Sequence, residues 1–324
     1  MDIYVKKVII HQFSPDDTDL YLADKFLNIT PKIEEYLRKK IERVYSDEAR
    51  TGIFEEDNPF LEMISDDLLE TSVAVANRWK EEFVVSENPK TNDLVFVQFS
   101  KEGVEHFAFL RIALRETLTH LGGEVDNPIK LTQNNLPGFG TGADEALVIN
   151  LQSHKYHLIE KRIKYNGTFL NYFSENLLQA QPKISPKKSI KALEKTAQKI
   201  AESFNTDDFQ FQSKVKSAIF NHIEEENKLS PEKLADDLFD DNLTARLSFI
   251  DQVKEAVPEP VTFEEIDASR QLKKFENQKL SLSNGIELIV PNNVYEDAES
   301  VEFILNENGT YSILIKNIED IQSK

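Results

Sequence analysis

The sequence predicts an α+β fold: an antiparallel sheet with packed helices in the N-terminal part, a mainly helical middle, and a small C-terminal β-hairpin element. Three observations carry this. Between Asp93 and Lys164, short runs rich in Val, Ile, Leu and Phe are separated by turn residues, the pattern of strands joined by hairpins. Four dipeptides share one helix-start grammar: Thr30-Pro31, Asn58-Pro59, Ser185-Pro186 and Ser230-Pro231. In each, a side-chain oxygen is placed to cap free N–H groups, and proline fits the first helical position, where no partner is lost. Strand-like runs then return near the end, at 286–290, 301–305 and 311–315, the last two around the turn Asn306-Glu307-Asn308-Gly309.

In chain order, Ile3 to Phe13 reads as a first strand and Tyr21 to Ile29 as a second. The start signals predict helices over about 31–49, 59–83, 186–204 and 231–239. Asp93 to Phe99 alternates Leu94, Phe96 and Gln98 against Val95, Val97 and Phe99, with a turn at Ser100 to Gly103. Phe107 to Leu118, Ile129 to Thr132, Ala146 to Leu151 and Tyr156 to Lys164 complete the strands, with Gly122-Gly123 as a further turn. From Thr168 to Phe275 the pattern is mainly helical, with a long helix from Phe209 to Lys228. Two domains are expected, an α+β domain over 1–165 and a helical domain with C-terminal strands over 166–324.

The 324 residues include 40% hydrophobic ones and no cysteine. Such a chain folds around a core and uses neither disulfides nor thiolate metal ligands. Met1 to Lys7 has no apolar signal-peptide region, and no run reaches the roughly 18 apolar residues of a membrane span. The expected compartment is the cytoplasm. The net charge of −19 by itself argues against a polyanionic partner. Its distribution argues otherwise. Residues 1–150 hold 16 basic against 28 acidic side chains, residues 151–199 hold 10 against 3, and residues 200–324 hold 12 against 26. A basic segment thus sits between two acidic blocks, and at physiological salt charges beyond about 8 Å are largely screened.

Asn171-Tyr172-Phe173-Ser174-Glu175-Asn176-Leu177-Leu178 opens the helical half, and Gly285-Ile286-Glu287-Leu288-Ile289-Val290 begins the last strands. These stretches, the order of elements and the 37.2 kDa mass resemble the 37 kDa nucleoid-associated protein family over nearly the whole chain. That family carries Gly-Cys after the leucine pair, where this chain has Gln179-Ala180. The resemblance implies a nucleoid protein that binds double-stranded DNA.

The residues point to a place for that binding. On a wheel of 100° per residue, Ile190, Leu193, Ala197, Ile200 and Phe204 fall within an arc of about 80°. Lys187, Lys188, Lys191, Lys195 and Lys199 fall opposite, with Glu194 the one acid among them. Lysine is a flexible point charge suited to phosphate rather than to base edges. A solvated surface helix would carry the same pattern. Arg38, Lys39, Lys40 and Arg43, and then Arg270, Lys273 and Lys274, are the alternative basic groups.

Other patterns read as structural. Gly138-Phe139-Gly140-Thr141-Gly142 lacks the Gly-Lys-Ser/Thr ending of a phosphate loop and precedes Ala143-Asp144-Glu145, so it reads as a strand connector. His154 and His157 lie three apart in a strand-like segment, which turns them to opposite faces. The acidic groups Asp16-Asp17-Asp19, Asp66-Asp67 and Asp236-Asp237 with Asp240-Asp241 read as solvated faces, and Trp79 as core. No catalytic, metal-ligating or cofactor-binding residue is expected. The expected function is non-catalytic binding to the phosphate backbone of duplex DNA. An acidic interaction protein that engages a basic or DNA-processing partner is the first alternative, and a metal-dependent nuclease the second. A protein partner and a homodimer stay open.

Overall fold

The computed structural model describes residues 2–16, 18–83, 90–120, 129–206, 208–263 and 265–322. Gly122-Gly123 and Asp17 lie outside the described residues. The chain divides into two compact units, 1–185 and 186–324.

The first unit runs β1 (Ile3–Ser14), β2 (Asp19–Tyr21), α1 (Pro31–Glu42), β3 (Arg50–Ile53), α2 (Pro59–Glu62), α3 (Leu68–Phe83), β4 (Asn92–Lys101) and β5 (Val104–Ala113). It continues through β6 (Arg115–His120), β7 (Ile129–Asn135), β8 (Glu145–Asn150), β9 (Lys155–Ile159), β10 (Ile163–Tyr165) and β11 (Thr168–Leu170). A seven-stranded antiparallel sheet has the order β2-β1-β4-β5-β8-β9-β3.

Both sheet faces are apolar, so both must be covered. Leu94, Phe96, Phe109, Leu147 and Leu158 face a core with Val75, Trp79 and Phe83 of α3. Val95, Val97, Leu110 and Val148 face the other way, onto Leu37 and Ile41 of α1. A bulge between Val5 and Lys7 lets β1 serve this second core with both Val5 and Val8, three residues apart, while Lys6 and Lys7 stay exposed.

Three of the predicted start signals act as caps. Thr30, Asn58 and Ser230 accept hydrogen bonds from the N–H groups of Ile33, Phe60 and Lys233. Helix α4, defined below, begins at Pro186 as expected. Several lengths differ from expectation. The helix expected over 59–83 is broken, because Asp67 accepts from Leu69 N–H at 2.8 Å and starts α3 afresh. The first helix gives way to a single 3-10 turn, Arg43–Tyr45. The expected strand at 21–29 stops at Tyr21. Beyond it, Ala23 N–H donates to His11 Nδ1 (3.0 Å) and Leu27 N–H to Val8 O (2.8 Å), isolated bonds instead of a ladder. The expected strand over 107–118 becomes β5 and β6, since β6 leaves the sheet to pair with β7. The segment 156–164 likewise divides, and β10 pairs with β11 across residues 166–167.

The second unit contains α4 (Pro186–Ser203), α5 (Phe209–Glu226), β12 (Lys228–Leu229), α6 (Pro231–Leu238), α7 (Leu243–Lys254), β13 (Val261–Thr262) and α8 (Ser269–Phe275). It ends in β14 (Asn277–Ser281), β15 (Glu287–Pro291), α9 (Asn292–Tyr295), β16 (Val301–Leu305) and β17 (Tyr311–Ile315). Asp208 and Asn242 cap α5 and α7, and Asn227 closes α5 in the left-handed conformation. The helices share one core. The C-terminal strands form two separate hairpins, β14–β15 and β16–β17. Gln278 ties the first to α5, donating to Ser213 O (3.2 Å), Ser217 Oγ (3.3 Å) and Asn292 Oδ1 (2.7 Å).

His11 makes the first unit sensitive to acid. Its Nδ1 accepts from Ala23, so Nε2 carries the proton and faces Ser72 Oγ at 3.0 Å. Burial lowers its pKa to about 4. The unfolded chain takes up that proton near pH 6.5 while the folded chain refuses it, so stability is intact above pH 6.5 and falls as the pH drops toward 4. Denaturant titrations at pH 7.5 and 4.5 should differ by up to about 3 kcal/mol more for the parent than for His11→Gln. An equal difference in the two proteins would remove His11 from the acid response.

Candidate nucleic-acid interface

Helix α4 buries Ile190, Leu193, Ala197 and Ile200 in the core of the second unit, with Ala245, Phe249 and Val253 of α7 and Ile219 and Ile223 of α5. With that arc buried, the opposite arc faces solvent. Lys187, Lys188, Lys191, Lys195 and Lys199 are all exposed. Lys199 donates to Gln252 Oε1 at 3.0 Å. Lys188, Lys191 and Lys195 have no hydrogen-bond or ion-pair partner among the described residues. Glu194, the acid that interrupts the row, is half-buried and accepts from Lys274 of α8 at 3.2 Å. A basic group 80 residues away thus offsets the negative charge that interrupts the row, while the helix's other acid, Glu202, is exposed in its last turn and accepts from Gln198 at 3.2 Å. The sequence holds no local signal for the pair of Glu194 and Lys274.

The alternative basic groups are differently placed. On α1, Lys39 pairs with Glu35 (2.8 Å) and Arg38 lies 4.0 Å from Glu42, i to i+4 pairs that leave little net charge. Lys40 is fully buried and donates to the carbonyls of Gly138 (2.9 Å) and Thr141. Burial lowers it to about 8, so it remains protonated at neutral pH. The Gly138–Gly142 connector therefore wraps a cation with its carbonyl oxygens, the opposite of a phosphate cradle. Arg43, Arg270 and Lys273 are exposed.

His157 is buried against the Tyr45 ring (4.6 Å), and His154 sits in a turn with φ +55°. Asp236, Asp237 and Asp240 pair with Arg246 (2.9 Å), His222 (2.7 Å) and Lys214 (2.9 Å). Asp16, Asp19, Asp66 and Asp241 are exposed, and Trp79 is core. Among the described residues, no helix is long and apolar enough to cross a membrane.

A family model described as nucleoid-associated protein YejK matches residues 9–321. The chain belongs to this nucleoid-associated family. A search of curated proteins finds no match. Membership assigns the chain to the nucleoid.

The structure gives the motif shared with the family a physical role. Tyr172 donates its hydroxyl to buried Glu145 and accepts from Trp79 Nε1 at 3.1 Å. Phe173 stacks on Phe109 at 5.6 Å. Ser174 donates to Glu160 Oε1 at 3.0 Å, and its N–H to Oε2 at 3.0 Å. Arg50 holds the same Glu160. The motif is a clasp that fastens the π-helical turn Phe173–Leu177 to the sheet.

The departure from the family pattern is also explained. Gln179 follows this turn with φ +47°, the left-handed conformation in which glycine ends helices without strain. Ala180 packs against the core, as a small residue must there. Gln179→Gly is expected to raise stability by up to about 1 kcal/mol in urea titrations, and Gln179→Val to lower it. A destabilising glycine at this position would show that strain is absent.

Proposed function

We propose that this chain binds duplex DNA without catalysis, through phosphate contacts made by Lys187, Lys188, Lys191, Lys195 and Lys199. The observation that carries the reading is the outward lysine row on a helix whose other face is buried, with Glu194, the acid inside the row, offset by Lys274. Three of the lysines have no competing partner among the described residues, so they can meet phosphates without first breaking an ion pair. The side chains stand at roughly one-turn intervals along an 18-residue helix of about 27 Å. Flexible ammonium groups on such a line can follow a backbone and carry little base preference. Family membership supports DNA as the polyanion.

Salt titration tests the site. If all five lysines neutralise phosphates, they contribute roughly −4 to −5 to the slope of log affinity against log salt, at about −0.9 per contact. Replacing Lys188, Lys191 and Lys195 with Gln keeps good helix formers and removes three charges. The variant should keep its melting temperature, bind all duplex sequences more weakly, and lose roughly 2 to 3 of that slope. Unchanged affinity and slope would move the contact off α4.

The same preparation is expected to leave supercoiled DNA uncut in magnesium or manganese. Nicking that persists through purification and is abolished by a point substitution would overturn the non-catalytic reading.

A further inference from the structure

Helix α4 accounts for only part of the basic excess in residues 151–199. From Lys161 to Ser174 the chain carries Lys161, Arg162 and Lys164 and no acid. This stretch holds the hairpin β10–β11, whose register pairs Ile163 with Leu170, Lys164 with Phe169, and Tyr165 with Thr168. Asn166 and Gly167 close it with φ of +49° and +79°, the two positive values of a tight two-residue turn.

Directly opposed residues share a face of such a ribbon, and neighbours along a strand alternate between faces. Ile163 packs against the core that contains Trp79, and Leu170 opposite it is half-buried. Lys164 and Phe169 therefore stand together on the other face, and both are exposed. Arg162 immediately precedes β10, is exposed, and has no hydrogen-bond or ion-pair partner among the described residues. Lys161 is held by Asp144 at 2.7 Å.

Phe169 is 61% exposed, and its ring is bare. The other exposed phenylalanines among the described residues each have a cation over the ring: Lys7 lies 5.5 Å from the Phe26 centroid and Lys39 5.3 Å from that of Phe139. Among the described residues no ring or cation covers Phe169. A side chain carried on a tight turn loses little freedom when it binds. An open aromatic face beside cations suits an unpaired nucleotide, whose base stacks while its phosphates meet the charges. Bases within a duplex are already stacked on one another and offer such a ring no face.

We propose that β10–β11 binds single-stranded DNA, with Phe169 stacked on an unpaired base and Arg162 and Lys164 against the neighbouring phosphates. This goes beyond the duplex contact of α4 and shares with it only DNA as the polyanion. Local charge selects the occupant, since a stretch with three cations and no acid attracts a polyanion and repels a basic partner. Area separates a strand from a lipid surface: one ring is too little apolar area to anchor a protein in a bilayer, but it is enough to stack a base.

Fluorescence anisotropy of the full chain with a labelled oligothymidylate of about 15 nucleotides provides the test. The parent should bind it. Phe169→Ala should bind it roughly fivefold or more weakly, with duplex affinity and thermal melt unchanged. Phe169→Trp should restore binding, and the oligothymidylate should quench its new indole, a signal that fully buried Trp79 does not give. If the alanine variant misfolds, this quenching decides. Replacing Lys188, Lys191 and Lys195 with Gln separates the two sites: duplex binding should weaken while the quenching at saturating oligothymidylate stays. A parent that ignores the oligothymidylate, an equal loss of duplex affinity in Phe169→Ala, or an unquenched Phe169→Trp would overturn the proposal. So would Phe169-dependent binding to phosphatidylglycerol vesicles in place of the oligothymidylate.

Discussion

The first unit depends on a charge buried where none is comfortable. Glu145 is fully buried at the start of β8, and Arg111 of β5 meets it at 2.6 Å. Burial alone would lower the pKa of Arg111, but the adjacent carboxylate raises it, so the guanidinium stays charged. Tyr172, pushed well up by burial and by Glu145, keeps its proton and donates it to the same oxygen. Asn92 accepts from Arg111 at 2.8 Å, and the Phe83 ring lies 5.1 Å from the guanidinium. One ion pair therefore touches β4, β5, β8, α3 and the turn after Tyr172. Its net contribution to stability is small against well-packed apolar residues, but removing one partner would cost roughly 3–5 kcal/mol by stranding the other. Its value lies in orientation: few arrangements of these five segments satisfy all the groups at once.

The second unit uses a different device. Its helices are joined by apolar packing, and one buried polar cluster, Gln278 with Ser213, Ser217 and Asn292, fastens the first C-terminal hairpin to them. The position of the lysine row follows from this. A helix that must bury Ile190, Leu193, Ala197 and Ile200 has one orientation about its axis, and that orientation turns the five lysines outward. The net charge of the chain says nothing about this local field, which is set by Lys274 beside Glu194 as much as by α4 itself.

Elements whose cause is local were legible in the sequence. The start of α4 at Pro186 and the split of its two faces need only the 3.6-residue period and a proline. The two-sided apolar character of β4 shows in its own alternation. Features caused by distant residues were not. The bulge at Val5 to Lys7 exists because β1 must match the pleat of β4, and the end of β2 reflects a histidine ring taking an N–H that a ladder would have used. The break in 59–83 was legible in principle, since Ser65-Asp66-Asp67 is itself a cap signal, but the continuous apolar period masked it. For the candidate site, the lysines were legible and their electrostatic surroundings were not, because the partner of Glu194 lies 80 residues away.

Strand order also sets the route by which such a chain can assemble. The hairpins β4–β5 and β8–β9 join neighbours in sequence and close short loops. The pairings β1–β4 and β3–β9 join segments on the order of a hundred residues apart at their ends, contacts whose closure entropy is spent before they return any stability. The central strands can therefore meet early, while both flanks of the sheet wait on long-range encounters. Until they arrive, β4 and β9 each present a bare flank. A newly made chain of this family carries its greatest hazard of mispairing in that interval, well before any DNA is met.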